Sequence, residues 1–294
     1  MTGALLSTGA GLMRTSKRLH RPMDCRLKPG NADKGGRCFT ALLCIVLPIV
    51  SSFARAADIP LDQRRSDSEF ISADTRAMQN DDTANPGMLA VLDGESLWEE
   101  KAGATDKSCA DCHGDAKTGM KGVAARYPAL AADQDRPVDL ETRINMSRIA
   151  DQKAAPLPFE SKDLLALTVY VAHQSRGMPI AVEENERTKP FIAAGREIFE
   201  RRQGQLNLSC AQCHNENWGK RLAGSLVPQA QPTGYPIYRL EWQELGSLQR
   251  RLRDCMAAMR AEPYDYGAPE LVNLELFLMW RARGLPIETP AVRP

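Results

Sequence analysis

Two copies of the pattern Cys-x-x-Cys-His are the residues best suited to chemistry in this sequence, at Cys109 to His113 and at Cys210 to His214. Two cysteines at this spacing form thioether bonds to the vinyl groups of a haem, and the adjacent histidine binds its iron. A thioredoxin-like redox pair requires a βαβ setting and a zinc site requires four clustered ligands, and neither is indicated. The sequence therefore predicts two covalent haem c groups, attached at Cys109, Cys112, Cys210 and Cys213, with His113 and His214 as iron ligands.

The second motif is followed by sulfur-containing side chains that can complete the coordination of its iron. Histidine is scarce, because His20 lies near the N-terminus and His173 is the only other histidine outside the motifs. The candidates for the sixth ligand are Cys255, Met256, Met259 and Met279. Helical spacing predicts one stripe that contains Leu245, Leu248, Leu252, Cys255 and Met259. Thiolate and thioether both bind haem iron, and a free cysteine is often simply buried, so these alternatives stay open.

Arg251 precedes Cys255 by one helical turn, so we expect the two side chains on the same face of a helix. Arg250 and Arg253 flank it, and an arginine-rich helix face is often merely solvated. However, a cation beside a thiol favours the thiolate, and it can also hold a small oxyanion next to the sulfur. The pair therefore indicates sulfur–oxyanion chemistry at the second motif.

An internal repeat organises the chain around the two motifs. Gly94 to Glu99 (GESLWE) aligns with Gly195 to Glu200 (GREIFE), and each leads into Ser-Cys-Ala-x-Cys-His. Later segments match in the same way: Leu140 to Arg148 with Leu248 to Met256, and Val171 to Ile180 with Leu278 to Ile287. Apolar residues recur at helical spacing in both units. The sequence predicts a mainly α fold of two tandem cytochrome c-like helical domains, 86–182 and 190–294, related by internal duplication.

The N-terminal region has the organisation of an export signal. A basic stretch precedes the apolar run Phe39 to Val50, and small residues follow at Ala54 to Ala56. The run is shorter than the roughly 20 residues that a spanning helix needs, and Pro48 interrupts it. We expect residues 1–57 to be a cleaved leader and residues 58–85 to be an N-terminal arm that is poorly ordered or wraps round the protein. The mature chain is then periplasmic and has no membrane span.

The net charge of the chain and the number of its cysteines limit the functions that the mature chain can have. The 38 basic and 37 acidic residues give a formal charge of +1, which argues against nucleic acid or an anionic membrane as a partner. Removal of the leader takes away Cys25, Cys38 and Cys44, which leaves Cys255 as the single thiol outside the motifs. A lone thiol in an exported protein calls for a partner or a chemical role.

Four longer segments of the second unit are far more specific than the haem-attachment pattern. They are Cys210 to Leu222 (CAQCHNENWGKRL), Pro232 to Trp242 (PTGYPIYRLEW), Gly246 to Cys255 (GSLQRRLRDC) and Trp280 to Pro286 (WRARGLP). In these segments, and over essentially the whole mature chain, the sequence resembles the SoxA subunits of the periplasmic thiosulfate-oxidising Sox system.

The resemblance implies an L-cysteine S-thiosulfotransferase. In that family the subunit pairs with a small cytochrome c, SoxX, and the complex joins thiosulfate oxidatively to a cysteine of the carrier SoxYZ. The product is a cysteine S-thiosulfonate, and two electrons pass to an acceptor cytochrome c. The resemblance assigns the active-site cysteine, an iron ligand found as a persulfide, to Cys255 and the substrate-binding arginine to Arg251. Two alternatives are a diheme electron carrier without a substrate and a thiosulfate dehydrogenase that forms tetrathionate.

The first unit departs from the family pattern. Diheme members carry a second ligating cysteine there, whereas this chain has Ser147 at the aligned position. We expect the neighbouring Met146 to bind the first iron, although it points about 100° away on a helix. Met120, Met178 and His173 are the alternatives. A thioether in place of a thiolate would raise the potential of the first haem and suit it to electron relay.

Overall fold

The computed structural model describes residues 58–130 and 134–294. The leader predicted for residues 1–57, with its cleavage site, lies outside the described residues. Within the described ranges, no helix combines the length and the apolar composition that crossing a membrane requires.

Helices dominate the described part of the chain, so the predicted mainly α fold is confirmed. They are α1 (Ala73–Asn80), α2 (Gly87–Glu99), α3 (Ala110–His113), α4 (Ala116–Gly119), α5 (Leu140–Ser147), α6 (Lys162–His173), α7 (Lys189–Glu200), α8 (Cys210–His214), α9 (Leu248–Ala258) and α10 (Pro269–Arg281). A π-helical turn, Arg148–Gln152, continues α5. Short 3-10 turns occupy Leu61–Gln63, Asp67–Phe70 and Ala124–Arg126.

Short strands, which the helical spacing of apolar residues did not predict, connect these helices. They are β1 (Ala129–Leu130), β2 (Pro137–Val138), β3 (Arg221–Leu222), β4 (Ser225–Leu226), β5 (Ile237–Arg239), β6 (Glu244–Gly246) and β7 (Ala291–Arg293). β1 pairs with β2 and β3 with β4, both antiparallel. β5 pairs antiparallel with β6 and parallel with β7.

The predicted helical stripe that ends with Cys255 and Met259 was wrong at its first residue. Leu245 lies in β6, not on the helix that carries Cys255. The helix starts only after Ser247, whose hydroxyl accepts a hydrogen bond from the backbone N–H of Arg250 at 3.0 Å. An N-cap of this kind fixes where the helix begins, because it satisfies an otherwise free backbone donor.

Each repeat is built on two long helices that cross at a glycine. α2 packs against α6 in the first unit, and α7 packs against α10 in the second. A Cβ atom at Gly94 would lie 2.1 Å from the carbonyl oxygen of Ala166, and one at Gly195 would lie 2.0 Å from that of Asn273. Only glycine permits such a close approach of two backbones. The two units therefore use the same packing device at equivalent positions.

The repeats face each other across a pseudo-two-fold axis. Ile180 donates its backbone N–H to the carbonyl of Leu285, and Ile287 donates to the carbonyl of Met178, both at 2.9 Å. Ile180 is the repeat equivalent of Ile287, and Met178 is that of Leu285. Because each contact is repeated with the roles exchanged, the pairing is isologous, as in a symmetric dimer.

Packing crosses the sequence boundary between the two units. The hairpin β5–β6 lies within 190–294, yet β6 contacts α2 and α6 of the first unit, and β2 in turn contacts α10. Leu245 of β6 is buried in one hydrophobic cluster with Val91, Trp98 and Leu165. Each unit therefore completes the core of the other.

Residues 58–85 run over the second unit. Asp58 lies within salt-bridge distance of Arg196 (3.1 Å) and Arg281 (3.4 Å). Further along, the Ser66 hydroxyl hydrogen-bonds the Thr233 hydroxyl at 3.0 Å, and the Asn85 amide donates to the carbonyl of Pro290 at 2.9 Å. These contacts tie the arm to the segments around the second motif.

We predict that Gly195→Ala destabilises the protein by about 1–3 kcal/mol, the usual cost of forcing an extra methyl into a close-packed contact. The α7–α10 crossing has to open to accommodate the new Cβ. Thermal unfolding of the haem-loaded protein measures the effect. Gly224→Ala is the control, because a Cβ there meets no atom within 4 Å; equal unfolding temperatures for the two variants would contradict the proposed crossing.

Candidate functional site

The first Cys-x-x-Cys-His motif forms α3 and is held by a local cap. The Ser108 hydroxyl accepts from the backbone N–H of Asp111 at 3.0 Å, and the Asp111 carboxylate accepts from the backbone N–H of Ser108 at 2.8 Å. The indole of Trp98 donates to the carbonyl of Gly114 at 3.0 Å, and its ring lies 5.8 Å from that of His113. These contacts fix the turn that presents both cysteines and the histidine.

A cavity of about 280 Å³, here called the first-site cavity, is lined by Cys109, Cys112 and His113. α5 and the π-helical turn contribute residues at helical spacing: Leu140, Arg143, Ile144, Ser147, Arg148 and Asp151. One face of α5 is thus turned towards the motif. The residues fit a haem, since attachment sulfurs and an imidazole share a largely apolar cavity with cationic side chains that suit haem carboxylates.

The structure brings Ser147, and not Met146, to the first-site cavity. Met146 precedes the π-helical turn, so no change of helical register rotates it into the lining. Met120 does line the cavity, whereas His173 lies against the second unit with Nδ1 3.2 Å from the carbonyl oxygen of Thr289. Met146 as the sixth ligand stays a prediction, and this lining favours Met120 over it.

The second motif forms α8 and has a full capping box. The Ser209 hydroxyl accepts from the backbone N–H of Gln212 at 3.3 Å, and the Gln212 side chain accepts from the backbone N–H of Ser209 at 2.9 Å. His214 Nδ1 lies 2.8 Å from the carbonyl oxygen of Pro228, so Nδ1–H donates and Nε2 is left for a metal. Burial lowers the pKa of His214 to about 4, which keeps the imidazole neutral as an iron ligand must be.

Cys255 lies close to the second motif on α9. Burial, followed by the nearby Cys255 charge, raises the pKa of Cys210 to about 12, and the same two causes raise the pKa of Cys213. The competing sulfur ligands pack into the hydrophobic core, which Cys210 also contacts. Met256, Met259 and Met279 are buried in the core cluster of the second unit. The geometry thus favours Cys255 as the sulfur that faces the second motif, while none of the described cysteines is in a disulfide.

Arg251 lies one turn before Cys255 and lines a second cavity of about 410 Å³. This arginine cavity contains four guanidinium groups and one carboxylate, those of Arg221, Arg239, Arg251, Arg293 and Asp67. Burial acts to lower the pKa of Arg251, but the negative charges of Cys255 and Tyr235 outweigh it and raise the pKa. The side chain is therefore a permanent cation next to the Cys255 sulfur.

Arg251 differs from its neighbours Arg239 and Arg293 in its salt bridges. Arg239 pairs with Glu241 at 2.6 Å and Arg293 pairs with Glu288 at 3.2 Å. Among residues 58–130 and 134–294, no carboxylate lies within salt-bridge distance of Arg251. A guanidinium in this state, in a cavity lined by three further arginines, is suited to bind a small oxyanion.

The second site also fits a haem. Its donor set is two thiols at attachment spacing, an imidazole oriented through Nδ1 and a third sulfur on the facing helix. These are the residues from which a protein builds a covalently attached, six-coordinate haem c. Arg251 would lie beside the sulfur ligand on the same helix.

A second repeated pair of site residues was not predicted from the sequence. Tyr127-Pro128 and Tyr235-Pro236 occupy equivalent positions, and the two tyrosines line the first-site cavity and the arginine cavity respectively. The signal was present in the repeat alignment, since each Tyr-Pro pair precedes its N-capped helix by the same distance. Neither pair contains a ligand or a nucleophile, so a search by chemistry alone passed over them.

Comparison with known proteins matches both units. The family model described as SoxA/TsdA, cytochrome c domain, matches residues 93–180 and 194–287. L-cysteine S-thiosulfotransferase subunit SoxA from Pseudaminobacter salicylatoxidans is 39% identical over 248 residues, covering 84% of this chain and 87% of that protein. The SoxA subunit from Rhodovulum sulfidophilum is 36% identical over 232 residues, covering 79% and 81%.

A solved structure agrees in fold. The crystal structure of SoxXA from P. pantotrophus is similar with a TM-score of 0.76 at 30% identity, covering 78% of this chain and 86% of that chain. The prediction of two cytochrome c-like units is confirmed, and so is the resemblance stated from the motifs. This chain belongs to the SoxA family of cytochromes c.

Proposed function

We propose that this chain is the catalytic subunit of an L-cysteine S-thiosulfotransferase. It conjugates thiosulfate to a cysteine of a SoxYZ-type carrier protein, which yields a cysteine S-thiosulfonate, one proton and two electrons. The electrons leave to an acceptor cytochrome c. The observation that carries the proposal is the placement of Arg251 and Cys255 on one face of α9, beside Cys210, Cys213 and His214.

The curated relatives support this reaction class. Two SoxA proteins that cover most of this chain carry the name L-cysteine S-thiosulfotransferase subunit. The similar solved structure is a SoxXA complex, so we propose a small cytochrome c of the SoxX type as the partner subunit. Export to the periplasm by the N-terminal leader completes the proposal.

In this proposal Arg251 binds and Cys255 reacts. The guanidinium holds the sulfonate oxygens of the thiosulfate dianion and keeps its terminal sulfur next to the Cys255 sulfur. A thiolate at Cys255 can form an S–S bond to the sulfane sulfur of thiosulfate as two electrons leave. The carrier thiolate then attacks that sulfane sulfur and displaces the Cys255 thiolate, so that thiosulfate is transferred whole. Covalent haem c, which Cys210, Cys213, His214 and Cys255 would hold, would supply the one-electron chemistry of this site.

The first site serves electron relay in this proposal. Haem c attached at Cys109 and Cys112 and ligated by His113 would share the unit with Ser147, which cannot take part in sulfur transfer. The first-site cavity contains Arg143 as the equivalent of Arg251, but Ser147 stands where the second unit has the Cys255 sulfur. The two sites are therefore proposed to be unequal in function.

Cys255→Ser is expected to lower thiosulfate-dependent conjugation of the carrier by at least about a thousandfold, as loss of a catalytic nucleophile does. The assay follows the carrier by intact mass in the presence of the complete cytochrome complex. Ala257→Ser, which places a serine on the exposed face of the same helix, is the control and should conjugate at the wild-type rate. Full turnover by Cys255→Ser, with no extra sulfur on the wild-type Cys255 peptide, would refute the proposal.

Arg251→Gln is expected to raise the KM for thiosulfate by roughly 10- to 100-fold, since one charge-assisted contact contributes about 1.5–3 kcal/mol. Arg260→Gln, just beyond the same helix and exposed, is the matched control. Steady-state kinetics at fixed carrier concentration give the two constants separately. A wild-type KM in Arg251→Gln would show that the guanidinium does not bind the substrate, and tetrathionate as the sole product would favour a thiosulfate dehydrogenase.

A further inference from the structure

A third cavity, which none of the haem ligands lines, lies where the two repeats meet. This interface chamber measures about 80 Å³. It is lined on both sides by repeat equivalents, namely Tyr127 with Tyr235, Pro128 with Pro236, Leu140 with Leu248, and Ala172 with Met279. The chamber therefore lies on the pseudo-two-fold axis that relates the two units.

Three buried acids line the interface chamber. Asp139 and Glu141 come from the N-terminus of α5, and Glu275 comes from α10; they are 5%, 6% and 7% exposed. Asp139 accepts from the backbone N–H of Thr142 and from the side chain of Gln249, both at 2.6 Å. Gln249 is 1% exposed, and its side-chain oxygen accepts from the backbone N–H of Gly267 at 2.7 Å.

Of the three acids, Glu141 has a carboxyl oxygen that lacks a hydrogen bond. Its Oε2 is buried and has no hydrogen-bond partner among the described residues. A buried polar atom without a partner is costly, and water or a proton commonly relieves it. The chamber has room for a few water molecules, since one needs about 10–15 Å³ of such volume.

The charged groups nearest to these three acids are other carboxylates. Burial raises the pKa of Glu275 well above its usual range, and repulsion from Asp139 and Glu141 adds to the effect. Burial likewise raises the pKa of Glu141, with Asp139 and Glu160 as the next causes. Of the neighbouring elements, α9 supplies the cation Arg250, but it lies 2.7 Å from Glu244 and 3.9 Å from Glu160. The remaining titratable groups of the lining are the phenols of Tyr127 and Tyr235.

The interface chamber adjoins the first-site cavity and the arginine cavity. Tyr127 and Leu140 line the first-site cavity as well as the chamber. Tyr235 lines the chamber and also the arginine cavity, in which Arg251 lies. The chamber thus shares one tyrosine with each of these cavities, and a phenol hydroxyl can both donate and accept a hydrogen bond.

We propose that the interface chamber is a proton-binding site linked to the redox state of the chain, and that Glu141 and Glu275 hold the proton. An electron entering either haem site adds negative charge to a region of low dielectric. Uptake of one proton by a carboxylate oxygen, with formation of an O–H bond, cancels that charge. The proton comes from water or from the carrier thiol, which releases one when it is conjugated. The proposal requires haem at the two sites, but it does not require thiosulfate chemistry.

The test is potentiometric titration of the haem-loaded complex from about pH 5 to pH 10, without thiosulfate or carrier. We expect a pH range in which the reduction potential falls by up to about 59 mV for each tenfold drop in proton concentration, the value for one proton per electron. The potential falls as the pH rises because reduction raises the pKa of a nearby carboxyl group, so that protons favour the reduced state. Glu141→Gln with Glu275→Gln should remove at least half of this slope.

Glu270→Gln is the matched control, since this exposed acid lies on the same helix as Glu275. It should keep the wild-type slope. If the double variant does not fold, reduced-minus-oxidised infrared spectra of the wild type should show a gain in protonated carboxyl, and each single variant should alter that signal. A pH-independent potential in the wild type would overturn the proposal. A wild-type slope in the double variant would also overturn it, and would assign the titration to the carboxylates of the haem itself. Neither outcome affects the transferase proposal.

Discussion

The reciprocal backbone pairing of Met178–Ile180 with Leu285–Ile287 is the constraint on which the rest of the structure depends. It relates the two units by a pseudo-two-fold axis, so that α5 and α9 approach each other at their N-termini. The β5–β6 hairpin of the second unit packs into the core of the first, and β2 of the first unit contacts α10 of the second, so the two units form one packed structure. The haem sites, the arginine cavity and the interface chamber are all positioned by this pairing.

Within this symmetric frame the two units differ at one position that matters for sulfur chemistry. Arg143 and Arg251 are equivalent cations that each line a cavity, yet the next turn carries Ser147 in one unit and Cys255 in the other. Sulfur transfer needs a nucleophilic sulfur, whereas electron relay does not. Duplication followed by loss of one sulfur therefore explains how one fold can contain a proposed reaction centre and a proposed relay.

The sequence predicted the helices and the duplication, because these depend on local periodicity and on repeated motifs. It did not predict the small strands, since segments of two or three residues carry no apolar period. Leu245 was assigned to the wrong element because its burial comes from the other unit. Met146 was chosen by its adjacency to Ser147, but only the orientation of α5 shows which neighbour reaches the cavity. The interface chamber was not predicted because residues of both repeats line it, and their packing cannot be inferred from either segment alone.

The claim that the two haem sites are unequal, with Cys255 as the one sulfur ligand of thiolate type, is tested most directly by spectroscopy. Low-temperature electron paramagnetic resonance combined with magnetic circular dichroism distinguishes His/thiolate, His/Met and His/His coordination. The account predicts a single His/thiolate signal in the purified complex, lost in Cys255→Ser, and a first haem without thiolate. Two thiolate signals, or one that survives in Cys255→Ser, would contradict it.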